Sequence, residues 1–213
     1  QRQMCIRDSS KEHGIIKNVY FLACGGSLVD LYPGYYFVRA ESAVMDAQWI
    51  PAREFALTPP KKLGKDSLLI ICSHSGKTKE CLEAAKVGMD AGAAVVTMTH
   101  APGSPCDCEE WISVVYDWAP GVKEAQKPQG IVLDILNELM KAQEPGYTLY
   151  NSIKEGFEKI DDIIAEAVKK QQNSAWLFAE KYYEEPNLYI MASGASYCLL
   201  YTSDAADDSL RVD

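Results

Sequence analysis

The sequence predicts an α/β domain: a doubly wound, five-stranded parallel sheet with flavodoxin-like layering, followed by the start of a second copy of the same unit. Three observations carry this expectation. Short apolar runs alternate with segments of helical period along most of the chain. One run, "SLLIICS" at 67–73, is apolar without alternation, as in a strand covered on both faces. And "NLYIMASGAS" at 187–196 lies on "NVYFLACGGS" at 18–27 without a gap, identical at five of ten positions and apolar or small at the rest.

Taken in order, the first strand begins at Asn18 and runs into Gly25, Gly26 and Ser27, where Ser27 is placed to cap the helix that follows. Pro33 either kinks that helix early or stands near its start. Residues 43–45 predict a short second strand and 67–73 a third. Residues 77–92 read as a helix, with Cys81, Leu82, Ala85 and Met89 recurring at three and four and Gly92 placed to end it. Residues 94–100 and 112–118 predict the fourth and fifth strands, and a helix follows from about Gln129 to Lys141. Beyond it, Ile153, Phe157, Ile160, Ile163, Ile164, Ala167 and Val168 keep a helical period, which predicts one long bridging helix. The expected organisation is thus a first domain over 11–145, a bridging helix at 146–186 and the opening of a second domain at 187–197. "MCIRDS" (4–9) and "CLLYTSDAADD" (198–208) read as adapter-like sequence, so 1–10 and 198–213 are set apart as non-native flanks.

Composition removes several classes of function. The chain has 213 residues, 47% of them apolar, enough for the core of one sizeable domain and part of a second. A formal net charge of −9 argues against nucleic acid, whose phosphates want a basic face. No apolar run approaches the ~20 residues of a membrane span. Seven cysteines form an odd set without framework spacing, and Cys24 and Cys72 lie in apolar strand contexts, which points to reduced thiols and a cytoplasmic location. Cys106 and Cys108 offer two thiols with no second ligand pair at metal spacing, so no metal is expected.

The densest chemical signal is "CSHSGKT" at 72–78. Gly76, Lys77 and Thr78 match the end of a Walker A loop, but Ile71 occupies the position of its first glycine, and Gly25-Gly26 does not complete a dinucleotide fingerprint. A loop between a strand's carboxyl end and a helix's amino end presents unpaired N–H groups and the positive end of the helix dipole, which suits a dianion. Ser73, Ser75 and Thr78 add hydroxyls there, and Gly76 allows close backbone approach. The competing reading is that the serines and the glycine only cap a helix.

"ACGGS" after one strand, "CSHSGKTKE" after another and "ASGAS" at the start of a repeat together resemble the sugar isomerase (SIS) domain family, which binds phosphosugars in tandem copies. Within it the likeness is greatest to the fructosamine 6-phosphate deglycases, relatives of the isomerase half of glucosamine-6-phosphate synthase, and it covers roughly residues 18–197. The resemblance implies that Gly25, Gly26 and Ser27 face the sugar or its phosphate, and that Ser73, His74, Ser75, Gly76 and Thr78 form the phosphate pocket. His74 stands where such synthases carry a glutamine, either as a hydrogen-bonding group or as a passive wall, with Lys77 on the solvent side. Glu124 falls near a loop that approaches the sugar in the family, although a solvated loop carboxylate is the simpler reading.

The resemblance further implies an isomerase or deglycase that converts a fructosamine 6-phosphate to glucose 6-phosphate and an amine, needs no cofactor and assembles as a homo-oligomer. Its acid and base would lie after Tyr197, so residues 1–213 are expected to be the binding half and inactive alone. The alternative implied by the same family is a non-catalytic phosphosugar-sensing module of a regulator.

Overall fold

The computed structural model describes residues 14–185. Their elements run β1 (Asn18–Ala23), α1 (Gly26–Asp30), α2 (Tyr32–Glu41), β2 (Asp46–Pro51), α3 (Ala52–Leu57), β3 (Ser67–Cys72), α4 (Lys79–Asp90), β4 (Ala94–Thr99), β5 (Ile112–Val115), a 3₁₀ turn (Glu124–Gln126), α5 (Pro128–Gln143) and α6 (Tyr150–Tyr182). The five strands form one sheet in the order β2-β1-β3-β4-β5, every pairing parallel. The expected doubly wound five-stranded α/β fold is therefore what the chain adopts.

Alternation along the strands divides the core into two layers, because successive side chains leave a strand on opposite faces. Val19, Phe21, Ile70, Val96 and Met98 pack with Leu31, Phe37 and Val38 near and on α2 and with Val132, Leu136 and Met140 of α5. Tyr20, Leu22, Leu69, Ile71 and Val95 pack on the other face with Ala52 and Phe55 of α3 and with Cys81, Ala84 and Ala85 of α4. The central strands β1, β3 and β4 are buried at every residue, which accounts for their unbroken apolar runs.

Several boundaries differ from the sequence expectation. The second strand is Asp46–Pro51, not 43–45: α2 persists to Glu41, and Glu144 then anchors the connection by accepting from the Ser42 hydroxyl and the Ala43 N–H. As the edge of the sheet β2 is only partly buried, so it lacks the apolar run that reveals β3. The short helix α3 carried no periodic signal and was not expected. The helix after β1 is two helices broken at Leu31, with Pro33 in the first turn of the second, where a proline costs nothing. In α4 the buried face is Cys81, Ala84, Ala85 and Gly88, while Met89 is 42% exposed. Gly88 is there because α4 lies so close to β3 that a β-carbon would come within 2.3 Å of a Leu69 methyl group.

The first third of α6, as far as Asp161, is tied to the rest of the domain. Ile153 joins the core, and the Lys154 ammonium bridges Asp134 and Glu138 of α5. The rest of this 33-residue helix has no buried residue, and Ile163, Val168, Trp176, Leu177 and Phe178 are exposed. The helix falls within the segment expected at 146–186; its bridging role and the strand expected at 187–197 lie with residues outside those described. Among the described residues no helix is long and apolar enough to cross a membrane.

Candidate functional site

In a 2-1-3-4-5 sheet the chain steps one way from β1 to β2 and the other way from β3 onward, so the connections after β1 and β3 diverge and leave a crevice at the carboxyl edge between them. The last residues of these strands, Ala23 and Cys72, are register partners. Consequently the Gly25-Gly26-Ser27 loop and the Ser73–Thr78 loop, found far apart in sequence, stand side by side over the crevice.

The second loop is built around Gly76. Its backbone is left-handed, with φ of 64°, and a β-carbon there would lie 1.9 Å from the Ser104 hydroxyl oxygen and 2.5 Å from Ser104 Cβ. The turn closes by Gly76 N–H donating to Ser73 C=O at 3.0 Å, and Cys106 N–H holds Gly76 C=O from outside at 3.1 Å. The Thr99 hydroxyl then donates to His74 C=O at 3.3 Å, and His100 N–H donates to the same oxygen at 3.2 Å. Two carbonyls of the loop, those of His74 and Gly76, are thus fastened by three hydrogen bonds to the β4 end and the segment after it.

Within that frame the predicted hydroxyls divide. Ser73 is buried, and its hydroxyl shares a hydrogen bond of 2.8 Å with that of Thr78. Ser75 is exposed, its oxygen accepting from Lys77 N–H at 3.3 Å. Thr78 is the N-cap of α4 yet makes no side-chain cap bond, so the first amides of α4 keep no side-chain acceptor. The helix-cap reading of these hydroxyls is therefore not what they do. Lys77 is exposed, as expected.

His74 is not isolated. Its Nδ1 lies 3.0 Å from the Tyr116 hydroxyl, its ring stacks on His100 with centroids 4.9 Å apart, and Trp118 meets it edge-on at 5.9 Å. Burial, with the like charge of His100, pushes the His74 pKa down, which favours the neutral ring. Tyr116 and Trp118 were missed in the sequence because residues 116–118 read as more of the fifth strand, and His100 because it read as the end of the fourth; β4 ends at Thr99 and β5 at Val115, and all three rings gather at His74.

Two further polar groups were unforeseen. Asp30 ends α1, and its Oδ1 accepts from Gln129 Nε2 at 2.6 Å, joining α1 to the first turn of α5. The Cys72 thiol lies 4.0 Å from the Tyr116 hydroxyl, and burial, assisted by the Asp30 charge, pushes the thiol up to about 12. Glu124, by contrast, is engaged by Lys127, while its own N–H donates to Asp161 at 3.0 Å. The Lys127 ammonium that pairs with Glu124 also lies over the Trp118 ring, 6.0 Å from its centroid.

A parallel sheet ordered 2-1-3-4-5, with two glycine-bearing strand-end loops at its switch point, defines a doubly wound α/β domain of the kind that takes a ligand in that crevice. No protein-family model matches the chain. Its relatives are more specific. It is 33% identical over 187 residues to the fructosamine deglycase FrlB of Bacillus subtilis, a match that takes in 88% of this chain and 57% of that protein. It is 26% identical over 201 residues to the isomerizing glutamine:fructose-6-phosphate aminotransferase of Clostridium tetani, covering 91% of this chain and 32% of the relative. A solved Bacillus subtilis structure assigned as a phosphosugar isomerase superposes with a TM-score of 0.86 at 32% identity, over 96% of this chain and 61% of that one. The chain belongs to the sugar isomerase (SIS) domain family. It spans a little over half the length of the deglycase, 57%.

Proposed function

We propose that the chain is the phosphosugar-binding part of a sugar-phosphate isomerase or deglycase, acting on a fructosamine 6-phosphate to release glucose 6-phosphate and an amine. The observation that carries this reading is the adjacency of the two loops at the switch point. The Ser73–Thr78 loop and the amino end of α4 receive the phosphate on backbone amides and the Ser75 and Thr78 hydroxyls. The Gly25-Gly26-Ser27 loop, one strand spacing away at about 4.8 Å, faces the sugar. Gly25, with φ of 57° and open space around its α-carbon, leaves room for a ligand at that loop. The relationship to a fructosamine deglycase supports the choice of substrate class.

The test is titration calorimetry of the protein with a fructosamine 6-phosphate and with the same fructosamine lacking phosphate. The phosphorylated ligand should bind at least tenfold tighter, equivalent to ~1.4 kcal/mol. Equal affinities would remove the phosphate pocket and the proposal with it.

The hydroxyls provide a second check. In Ser75→Ala/Thr78→Ala, phosphosugar affinity should fall about tenfold while thermal unfolding stays cooperative, since a typical net hydrogen bond contributes only ~0.5–1.5 kcal/mol to stability. Unchanged affinity would show that backbone amides alone hold the phosphate.

A further inference from the structure

Among the described residues Asp30 is a carboxylate without a cation. Gln129 Nε2 on its Oδ1 is its single hydrogen bond among the described residues, and none of their ion pairs includes it. The ammonium of Lys127, two residues before Gln129, is taken by Glu124. Gln129 adds to the imbalance, because its Oε1 is buried with no partner. A buried, unpartnered amide oxygen and a half-buried carboxylate that no described cation pairs therefore stand side by side, and a folded protein rarely leaves a buried acceptor unpaired unless something else completes it.

Their position says what completes them. Asp30 closes the helix that begins at Gly26, three residues after Ser27, and its partner Gln129 lies in the first turn of α5, which the chain enters after leaving the carboxyl end of β5; consistent with that placement, its charge reinforces the upward shifts of the buried Cys72 thiol and Tyr116 hydroxyl. Cys72 ends β3 immediately before Ser73, and Tyr116 holds His74. The carboxylate thus belongs to the same carboxyl-edge crevice as the two loops, on the β1 side of it. Burial disfavours its charge and raises its pKa to about 6, so at neutral pH it is an incompletely compensated anion. A hydroxyl would satisfy one lone pair; an ammonium would satisfy the charge as well, with a hydrogen bond roughly twice as strong as a neutral one.

We propose that Asp30, oriented by Gln129, is the subsite for the amino nitrogen of a phosphorylated amino sugar whose phosphate rests on the Ser73–Thr78 loop. The inference rests on the phosphosugar reading above and adds to it the selection of cationic amino sugars over neutral ones. Asp30 is the contact; Gln129 is a positioning residue.

Affinities for glucosamine 6-phosphate and glucose 6-phosphate, measured by calorimetry at pH 7.5 on the wild type and on Asp30→Asn, test it. The two ligands share the phosphate and the ring and differ at one position, so their ratio isolates the amine. In the wild type the amino sugar should bind at least tenfold tighter. Asp30→Asn should bring the ratio below threefold while the affinity for glucose 6-phosphate stays within twofold, which also shows that the variant is folded. Gln129→Leu, which leaves the carboxylate in place and removes its orienting amide, should give an intermediate ratio.

A wild type with no preference, or a variant that keeps it, overturns the subsite and leaves the phosphosugar reading standing. If neither sugar phosphate binds the wild type, the phosphosugar reading fails and the subsite fails with it.

Discussion

Gly76→Ala is expected to be the most damaging single substitution at the site, lowering stability by on the order of 3 kcal/mol and abolishing phosphosugar binding. Two costs combine. A left-handed residue with a β-carbon loses ~1–2 kcal/mol relative to glycine, and here the added carbon also meets Ser104. Rotating the serine hydroxyl away does not relieve the contact, since Ser104 Cβ itself would be 2.5 Å distant and Thr99 Oγ1 2.8 Å. Either the turn opens, breaking the Gly76-to-Ser73 and Cys106-to-Gly76 hydrogen bonds, or the segment around Ser104 moves off β4. Urea unfolding and calorimetry measure both effects. Gly76→Ala/Ser104→Gly separates them: it removes the contacts with Ser104 and keeps the backbone strain and the closer approach to Thr99 Oγ1, so it should recover part of the lost stability and not all of it. A Gly76→Ala variant with wild-type stability and affinity would show that the loop is not held in this conformation.

Asp30→Asn is expected to stabilise the unliganded protein at pH 7.5, by about 2 kcal/mol, and to give no advantage near pH 3.5. The direction follows from linkage. Burial raises the Asp30 pKa from 3.8 to about 6, so between those values the folded state binds more protons than the unfolded state, and stability falls as pH rises through the window. Below it both states are protonated and the penalty vanishes; above it the penalty is complete. The groups facing Asp30 do not obscure the window. Gln129 does not titrate, and burial pushes Cys72 up to about 12 and Tyr116 well above its ordinary value, so both stay neutral throughout. Urea unfolding of both proteins at pH 7.5 and 3.5 reads the difference, ~2 kcal/mol corresponding to a few degrees in melting temperature for each kcal/mol in a chain of this size. If the wild type is the more stable at pH 7.5, a cation compensates the carboxylate and no ammonium subsite is left for a ligand. Together with the selectivity experiment, the expected result describes a group that costs stability when empty and contributes affinity when filled, a trade common at functional sites.

The elements that could be read in advance are those whose burial is complete. Strands β1, β3 and β4 are covered on both faces and therefore apolar throughout, and α5 shows its face at helical spacing. Edge strand β2 was misplaced because partial burial leaves no pattern to find, and α3 escaped notice because one turn and a half carries no period. At the site, Ser73, Ser75, Gly76 and Thr78 were legible because a strand, a hydroxyl-rich turn and a helix follow one another within a few residues, which local chemistry alone makes recognisable.

The rest of the site has no local signature. Gly25-Gly26-Ser27 and Ser73–Thr78 become neighbours only because β1 pairs with β3, a contact set by the sheet order. Asp30 and Gln129, separated by 99 positions, meet only when α1 and α5 pack on the same carboxyl edge. His74 acquires its partners from the residues that follow β4 and β5. The sequence by itself determined the α/β class, the central strands and the hydroxyl-rich turn between β3 and α4, since each depends on the spacing of residues within one segment. The tertiary structure alone decided which hydroxyls pair with each other, which carboxylate is left without a cation and which rings surround the histidine, because burial and charge compensation depend on what the other segments bring to the same place.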